Sequence, residues 1–220
     1  MPAPDVLVAT RDSLHRAAEH LLAAARKRST GEITLVPSPG GVRTPPLADG
    51  TVVELDGGDV VVRGPAADRR APLTTLAGTA EALGLEAGFP WTKHPPGTDF
   101  DPDAPLTVDP AAAAALARWF AVGQQALEVL AAEIPAEDPS EPLVFPEHFD
   151  LGLTAGRVNY GFSPGDAAVP QPYVYVGPHD PLAGDPFWNA PFGAYRTWDE
   201  VGDPAQALAF FREARAVLGR

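Results

Sequence analysis

The sequence predicts an α+β fold with a mainly antiparallel sheet, a C-terminal β-meander and about four flanking helices. Amphipathic helical patterns occur near the start, in the middle and at the end of the chain, and strand-like runs lie in groups between them. This grouping differs from the regular strand–helix alternation of parallel α/β proteins. We therefore expect a single domain over residues 1–220, and we place any sub-boundary in the proline-rich segment 86–108.

Four segments combine helical periodicity with residues that suit the ends of helices. Asp109-Pro110 and Asp203-Pro204 each place an aspartate at the N-cap and a proline at the first helical position. Gly31 suits the end of the first helix, and Pro135 suits the end of the long central helix. The predicted helices cover residues 11–28, 75–83, 110–134 and 204–218.

Short runs rich in β-branched and aromatic residues predict the strands. Asp56-Gly57-Gly58 separates two of these runs and predicts a hairpin, because glycine adopts the positive φ that tight turns need. Segment 86–108 contains five prolines and no clear period, which predicts a long loop. The predicted strands cover residues 32–36, 51–55, 59–63, 143–145, 149–154, 157–162, 173–176 and 192–198.

Composition argues against several classes of function. The formal net charge of −13 disfavours binding to nucleic acid or to an anionic membrane surface, because both interactions need basic residues. The chain has no cysteine, which excludes disulfides, thiol nucleophiles and cysteine-ligated zinc. We find no signal-peptide pattern and no apolar run of membrane-spanning length, so we expect a cytoplasmic protein. No motif indicates a cofactor, and Ser38-Pro39-Gly40-Gly41 lacks the lysine and the helix of a phosphate-binding loop.

The stretch Glu147-His148-Phe149-Asp150 is the first candidate site. Alternation along a strand would place His148 and Asp150 on one face, where Asp150 would orient His148 for acid–base catalysis. With His179 they also match the ligand types of a mononuclear metal enzyme, which is a lesser alternative. The alternative without a function is that His148 and Asp150 form a hydrogen bond with each other or cap the turn at Pro146.

Aromatic and amide residues of the meander form the second candidate site. Tyr173 and Tyr175 share one face of a predicted strand. Such side chains suit a small-molecule pocket, and they equally suit an outer layer of the sheet beneath a helix. We expect a cleft where the 143–198 meander meets the 86–108 loop. The predicted ligand-binding residues are Asn159, Tyr160, Tyr173, Tyr175, His179, Trp188 and Asn189.

The first predicted helix carries three titratable residues near its middle. His15 and Glu19 lie one α-helical turn apart, whereas His20 lies about 140° around the axis from His15. The two histidines therefore do not converge on one ligand, and we interpret these residues as a solvated flank of the helix.

These observations lead to two hypotheses about function. The leading hypothesis is a protein that binds a small organic ligand in a cleft of its C-terminal half, extended to an enzyme if His148 and Asp150 act as acid and base. The alternative is a non-catalytic interaction or structural module that meets another protein through its acidic surface and proline-rich loop. The residues indicate neither a substrate nor an oligomeric state.

The succession FPEHFDLGL, NYGFSPGD, QPYVYVGP and FWNAPFGA resembles a family of uncharacterised actinobacterial proteins. The segments TRDSLHRAAEHLL and RRAPLTTL of the N-terminal half resemble the same family. More distantly, the order of segments over about residues 143–218 is similar to a bacterial domain family of unknown function. The resemblance implies a single architectural unit, and it implies no reaction, ligand or catalytic residue.

Overall fold

The computed structural model describes residues 2–65, 67–90, 96–180 and 184–220. They form two five-stranded antiparallel sheets with associated helices, which confirms the predicted α+β class. The chain divides into two compact units, Met1–Arg118 with Val144–Phe149, and Trp119–Leu143 with Asp150–Arg220. The predicted loop 86–108 belongs to the first unit, and its residues 91–95 lie outside the described part of the chain.

The long central helix and the last helix begin where the sequence supplies caps. The side chains of Asp109 and Asp203 each accept a hydrogen bond of 2.9 Å from the backbone N–H three residues on, as predicted for N-caps. The first helix begins earlier than predicted, at Pro4, and contains a π-helical segment. Within the described residues, no helix is long and apolar enough to cross a membrane. The helical elements are α1 (Pro4–Ala17), the π-helical segment (Ala18–Ala23), α2 (Ala24–Thr30), α3 (Leu76–Leu83), α4 (Pro110–Glu133), a 3-10 turn (Pro135–Glu137) and α5 (Pro204–Val217).

The first sheet is an antiparallel meander in the first unit. Its strands pair in chain order, and Gly57 in the β3–β4 turn has a φ of 63°, which confirms the predicted hairpin. The π-helical segment packs against β3. One face of the sheet is apolar and buried, with Val42, Val53, Leu55, Val60 and Val62. The strands are β1 (Val36–Ser38), β2 (Gly41–Arg43), β3 (Val52–Asp56), β4 (Asp59–Arg63) and β5 (Arg69–Pro72).

Two strands of this sheet, β2 and β5, are absent from the sequence-based prediction. They contain three and four residues, and glycine, arginine and proline occupy most of their positions. Glycine and proline have low strand propensity and the runs are short, so pairing with the stronger hairpin of β3 and β4 defines these strands.

The second sheet carries the predicted meander, whose strand ends are confirmed to within two residues. Its strand order is β10-β9-β8-β7-β6, so it too follows the chain. Helices α4 and α5 cover one face: the Trp119 ring lies 5.0 Å from the Phe162 ring, and the Phe211 ring lies 5.9 Å from it. Trp119 also donates its indole N–H to the carbonyl of Ser163 at 2.8 Å. The strands are β6 (Leu143–Phe145), β7 (Asp150–Ala155), β8 (Val158–Ser163), β9 (Tyr173–Pro178) and β10 (Ala194–Thr197).

We expect Gly123→Ala to destabilise the protein, because α4 approaches the sheet closely at this glycine. An added Cβ would lie 2.7 Å from Cγ of Phe162 and 3.0 Å from Cδ2 of Leu151. Alanine is better than glycine in a helix by about 1 kcal/mol, so a net loss of about 1–3 kcal/mol in urea unfolding would identify overpacking. Gly202→Ala, whose Cβ would meet only Gln206 at 3.8 Å, is the control. Unchanged or higher stability of Gly123→Ala would contradict the packing.

Candidate functional site

His148 and Asp150 lie in different local structures. His148 is exposed in the turn before β7, where its backbone N–H donates to the carbonyl of Phe145 at 3.2 Å. Phe149 follows with a φ of 53°, a left-handed conformation, so the backbone is not extended between His148 and the start of the strand. Asp150 is buried, and its carboxylate accepts the hydroxyl hydrogen of Tyr175 at 2.5 Å. The strand alternation on which the predicted His148–Asp150 pairing relied is therefore absent, and their catalytic role remains a prediction.

The metal-enzyme alternative needs a convergent set of ligands. Among the described residues, which include His148, Asp150 and His179, no group of three histidine, cysteine or acidic side chains is placed to hold a metal ion. His179 is exposed, and its Nε2 lies 3.1 Å from Oδ1 of Asn159, to which it donates. The described part of the chain thus does not supply the ligand set that this alternative requires.

The other predicted ligand-binding residues are distributed over both faces of the second sheet. Tyr173 and Tyr175 share a face of β9, as predicted, and their ring centroids are 6.2 Å apart. Tyr160 lies on the opposite face, fully buried, with its ring 5.4 Å from that of Phe211. Tyr160 therefore belongs to the packing beneath α5, whereas Tyr173 and Tyr175 face away from that helix.

Trp188 and Asn189 lie in the loop before β10. The amide of Asn189 donates to the carbonyl of Tyr195 at 3.1 Å and accepts the N–H of Tyr195 at 2.9 Å. The Trp188 ring packs edge-on against Phe187, with centroids 4.9 Å apart. The two bonds of Asn189 attach the loop to β10, which gives this residue a structural role, whereas the Trp188 contact lies within the loop.

A glycine opens the space in which Tyr175 reaches Asp150. Gly152 and Gly161 are direct cross-strand partners of β7 and β8, and Gly161 is also opposite Tyr175 on β9. A Cβ at Gly161 would overlap the Tyr175 ring. The ring therefore lies across the glycine and delivers its hydroxyl to Asp150 on β7.

We call the four rings of Tyr173, Tyr175, Phe192 and Tyr195 the aromatic layer. The Tyr173 ring lies 5.6 Å from Tyr195 and 6.4 Å from Phe192, to which it is nearly parallel, and Tyr175 stands almost perpendicular to Phe192 at 6.3 Å. Phe192 is 43% exposed, so the layer reaches solvent there. The sequence-based set missed Phe192 and Tyr195, because only the register of β10 places Tyr195 beside Tyr175.

Both tyrosines of β9 act as hydrogen-bond donors to carboxylates. Tyr173 donates to Asp166 at 2.6 Å, in parallel with the bond from Tyr175 to Asp150. Burial raises the pKa of both hydroxyls well above the usual range, and the neighbouring carboxylates raise these pKa values further. At neutral pH the two hydroxyls therefore keep their protons, so they can donate hydrogen bonds but do not act as bases.

The first unit contains a second cluster, which we call the acid–imidazole cluster: Glu19, His20 and Thr98. Glu19 has 0% and His20 1% of its surface exposed, so the predicted solvated flank is wrong for these two residues. Glu19 accepts hydrogen bonds from the backbone N–H groups of Gly97 (2.8 Å) and Thr98 (2.9 Å), and from the Thr98 hydroxyl (2.5 Å). The sequence gives no sign of this cluster, because its partners lie almost 80 residues apart.

The protonation of the cluster follows from its geometry. The Thr98 hydroxyl hydrogen goes to Glu19, so Nε2 of His20 donates to the Thr98 oxygen at 3.0 Å. Burial lowers the pKa of His20, which is consistent with a neutral ring, and its Nδ1 has no hydrogen-bond partner among the described residues. Burial also raises the pKa of Glu19, against the effect of its hydrogen bonds. The cluster thus fixes residues 97 and 98 to the π-helical segment.

The turn after β6 approaches the same loop. A Cβ at Gly97 would overlap the backbone carbonyl of Glu147, so glycine is required for this close approach. One carboxylate oxygen of Glu147 is buried without a hydrogen-bond partner among the described residues, and its charge contributes to raising the pKa of Glu19. Residues 97–98 are therefore held between the helix and this turn within the first unit.

His15 contacts the same turn from α1. Its Nε2–H donates to the carbonyl of Pro146 at 2.8 Å, and its ring stacks on Phe149 with centroids 5.4 Å apart. Burial lowers the pKa of His15 from 6.5 to about 4, against the raising effect of its bond to Pro146. The folded protein therefore favours the neutral imidazole.

Comparisons of the chain with models of protein families, with characterised proteins and with solved structures find no match. The resemblance of the meander segments to an actinobacterial family therefore remains a prediction.

We expect His15 to make stability depend on pH. Because its folded-state pKa is depressed, its contribution is fully present above pH 6.5 and is lost as the pH falls towards 4. The contribution of His15 to the free energy of unfolding should fall by about 2 kcal/mol between pH about 7 and pH about 4.5, since one pKa unit corresponds to about 1.4 kcal/mol. His15→Gln keeps an N–H donor and removes the titration, so urea unfolding should show a smaller loss in this variant.

His179→Gln, which changes an exposed histidine of the other unit, is the matched control. Glu19 acts in the opposite direction, because a raised pKa stabilises the fold as the pH falls, and it contributes equally to all three proteins. Equal losses in the wild type and in His15→Gln would show that the ring is not held neutral.

Proposed function

We propose that the protein binds a small organic cation at the aromatic layer of the second sheet. The observation that carries the proposal is the aromatic layer of Tyr173, Tyr175, Phe192 and Tyr195, in which the Phe192 ring is partly exposed. The hydroxyls of Tyr173 and Tyr175 are bound to carboxylates. The helix-covered face of the same sheet contributes to the core instead. This assignment keeps the ligand in the C-terminal half, as the sequence predicted.

Two physical effects favour a cation over a neutral or anionic ligand. Aromatic faces carry negative quadrupole potential, which attracts ammonium and guanidinium groups within about 6 Å. Asp150 and Asp166 lie directly behind the hydroxyls of Tyr175 and Tyr173 and add negative charge to the same side. The net charge of −13 also concentrates cations near the surface.

A cation–π contact of the protein's own Arg196 already occurs at the same sheet. The guanidinium of Arg196 lies 5.2 Å from the ring centre of Phe210 and 5.5 Å from that of Phe187. Arg196 is opposite Val174 in the register, whereas Tyr195 is opposite Tyr175, so Arg196 points to the helix-covered face. The Phe187 and Phe210 rings of that face are thus in contact with a cation of the protein itself. The aromatic layer offers the same kind of surface to a ligand.

The geometry supports binding more than proton transfer. The tyrosine hydroxyls are protonated at neutral pH, and the Asp150 carboxylate is engaged by Tyr175. A group that is to act as a general base needs a pKa near the working pH and access to the substrate proton. We therefore propose a binding function for the aromatic layer and assign it no catalytic step.

Choline and its neutral isostere 3,3-dimethyl-1-butanol test the proposal, since they share shape and differ in charge. We expect choline to shift the NMR signals of Phe192 and Tyr195 in a saturable way, and the alcohol to leave them unchanged. Phe192→Leu removes the ring and keeps an apolar side chain. It should weaken choline binding about two- to fivefold, the amount expected for one partly exposed cation–π contact.

Phe100→Leu is the matched control, because Phe100 is 48% exposed and belongs to the other unit. Asp166→Asn tests the charge separately, since asparagine keeps the size of the side chain and one oxygen for the backbone N–H groups of Ala168 and Val169 while the negative charge is lost. Equal affinity for choline and the alcohol, or no saturable shift with either, would overturn the proposal. Equal weakening by Phe192→Leu and Phe100→Leu would also overturn it.

A further inference from the structure

An open pocket of about 400 Å³ lies on the polar face of the first sheet. Its volume falls within the usual range of small-molecule sites. Arg43 is the cross-strand partner of Glu54, and Ser38 is the partner of Gly41, which in turn faces Asp56. Cross-strand partners point to the same side of a sheet, so these side chains line one surface. Its walls include Ser38, Arg43, Val52, Glu54, Asp56 and Arg63.

The two carboxylates of the pocket are already paired with arginines. Glu54 accepts a hydrogen bond from Nε of Arg63 at 2.9 Å, and Nη2 of Arg63 lies 2.8 Å from the same carboxylate oxygen. Asp56 is bound by Arg70, which also reaches Asp59 at 2.6 Å. These pairs leave little uncompensated negative charge for a ligand to meet.

Arg43 differs from these arginines. It is half-buried, its Nη1 donates to the carbonyl of Thr44 at 3.1 Å, and no carboxylate among the described residues forms an ion pair with it. The rest of its guanidinium fork is available to an anion, and such a fork binds carboxylates in a bidentate way.

Ser38 is a second, independent indication of a ligand. It is 8% exposed, and its hydroxyl has no hydrogen-bond partner among the described residues. A buried hydroxyl without a partner is costly to the fold, and sites of this kind often bind a ligand or a water. Ser38 and Arg43 lie on the adjacent strands β1 and β2, so one small group can reach both.

We propose that this pocket binds a small organic monocarboxylate, a ligand distinct from the cation of the aromatic layer and bound in the other unit. Arg43 would hold the carboxylate, Ser38 would donate to it, and Val52 would contact the organic body. Arg43 offers one positive charge without a carboxylate partner among the described residues, so it balances a monocarboxylate and leaves the second charge of phosphate or of a dicarboxylate without a partner. The site is independent of the proposed function, so each can fail without the other.

Benzoate, benzamide and inorganic phosphate test the class of ligand. We expect benzoate to give saturable NMR shifts at the Gly40 and Gly41 amides and at the side-chain N–H of Arg43. The neutral benzamide and inorganic phosphate should leave these signals unchanged. No saturable benzoate shift up to about 10 mM, which lies beyond a millimolar dissociation constant, would overturn the proposal, as would equal binding of phosphate or benzamide.

Variants test the assigned residues. Arg43→Gln should weaken benzoate binding at least about tenfold, the loss of one charge-assisted hydrogen bond or more. Arg43→Lys keeps the charge and loses the fork, so its affinity for benzoate should lie between those of the wild type and Arg43→Gln. Arg118→Gln, an exposed arginine of α4, is the control for net charge and should leave the affinity unchanged.

Ser38→Ala separates binding from folding. It removes a hydroxyl that has no partner among the described residues, so the midpoint of thermal unfolding should stay the same or rise. Benzoate binding should weaken severalfold in the same variant. A fall in stability would show that the hydroxyl is satisfied within the fold, and unchanged affinity would remove it from the site; either result would overturn its assignment.

Discussion

The buried carboxylate of Glu19 is the constraint on which the first unit depends. A carboxylate without exposure needs hydrogen bonds to replace water, and residues 97 and 98 supply three of them. Because two of these bonds come from the backbone, the loop must keep one conformation for the helix to bury Glu19. Gly97 also approaches the backbone of Glu147 closely, so residues 97 and 98 contact the turn after β6 as well. A single side chain on the π-helical segment thus holds residues 97 and 98 of the proline-rich connection in place.

The π-helical segment explains how two neighbouring residues can serve one hydroxyl. In a regular α-helix, Glu19 and His20 would point about 100° apart. The wider turn changes their directions, and both reach Thr98. Irregular helical turns of this kind are rare, and they persist where tertiary contacts compensate for them. Here the compensation is a chain of hydrogen bonds from imidazole to hydroxyl to carboxylate.

Local sequence signals predicted most elements of the fold. The Asp-Pro pairs, the Asp-Gly-Gly turn and the alternation of the meander act over a few residues, and the structure contains the elements that they predict. The π-helical segment has no such signal, because helical periodicity reads the same through Ala18–Ala23. Phe149 shows a second limit: a positive φ at a bulky residue separates His148 from the strand that begins at Asp150, and nothing in the local pattern announces it.

The candidate sites show the same division between local and long-range information. Alternation predicted that Tyr173 and Tyr175 share a face, since this depends on one strand alone. It could not place Tyr160 on the opposite face, because that depends on the register of β8 against β9. Likewise, Ser38-Pro39-Gly40-Gly41 reads as a turn without the marks of a phosphate loop. Only the pairing of β1, β2 and β3 brings Arg43 and the carboxylates around it.

The partners of the acidic residues explain why the two proposed sites favour opposite charges. On the first sheet, arginines pair with Glu54 and Asp56, and the ion pairs cancel the charge that would repel an anion. On the second sheet, tyrosine hydroxyls, which carry no charge, are among the donors to Asp150 and Asp166. A carboxylate held by a neutral donor still attracts cations, whereas one held by a guanidinium does so much less. The charge of the donors is therefore one part of the argument for the ligand charge that we propose on each sheet.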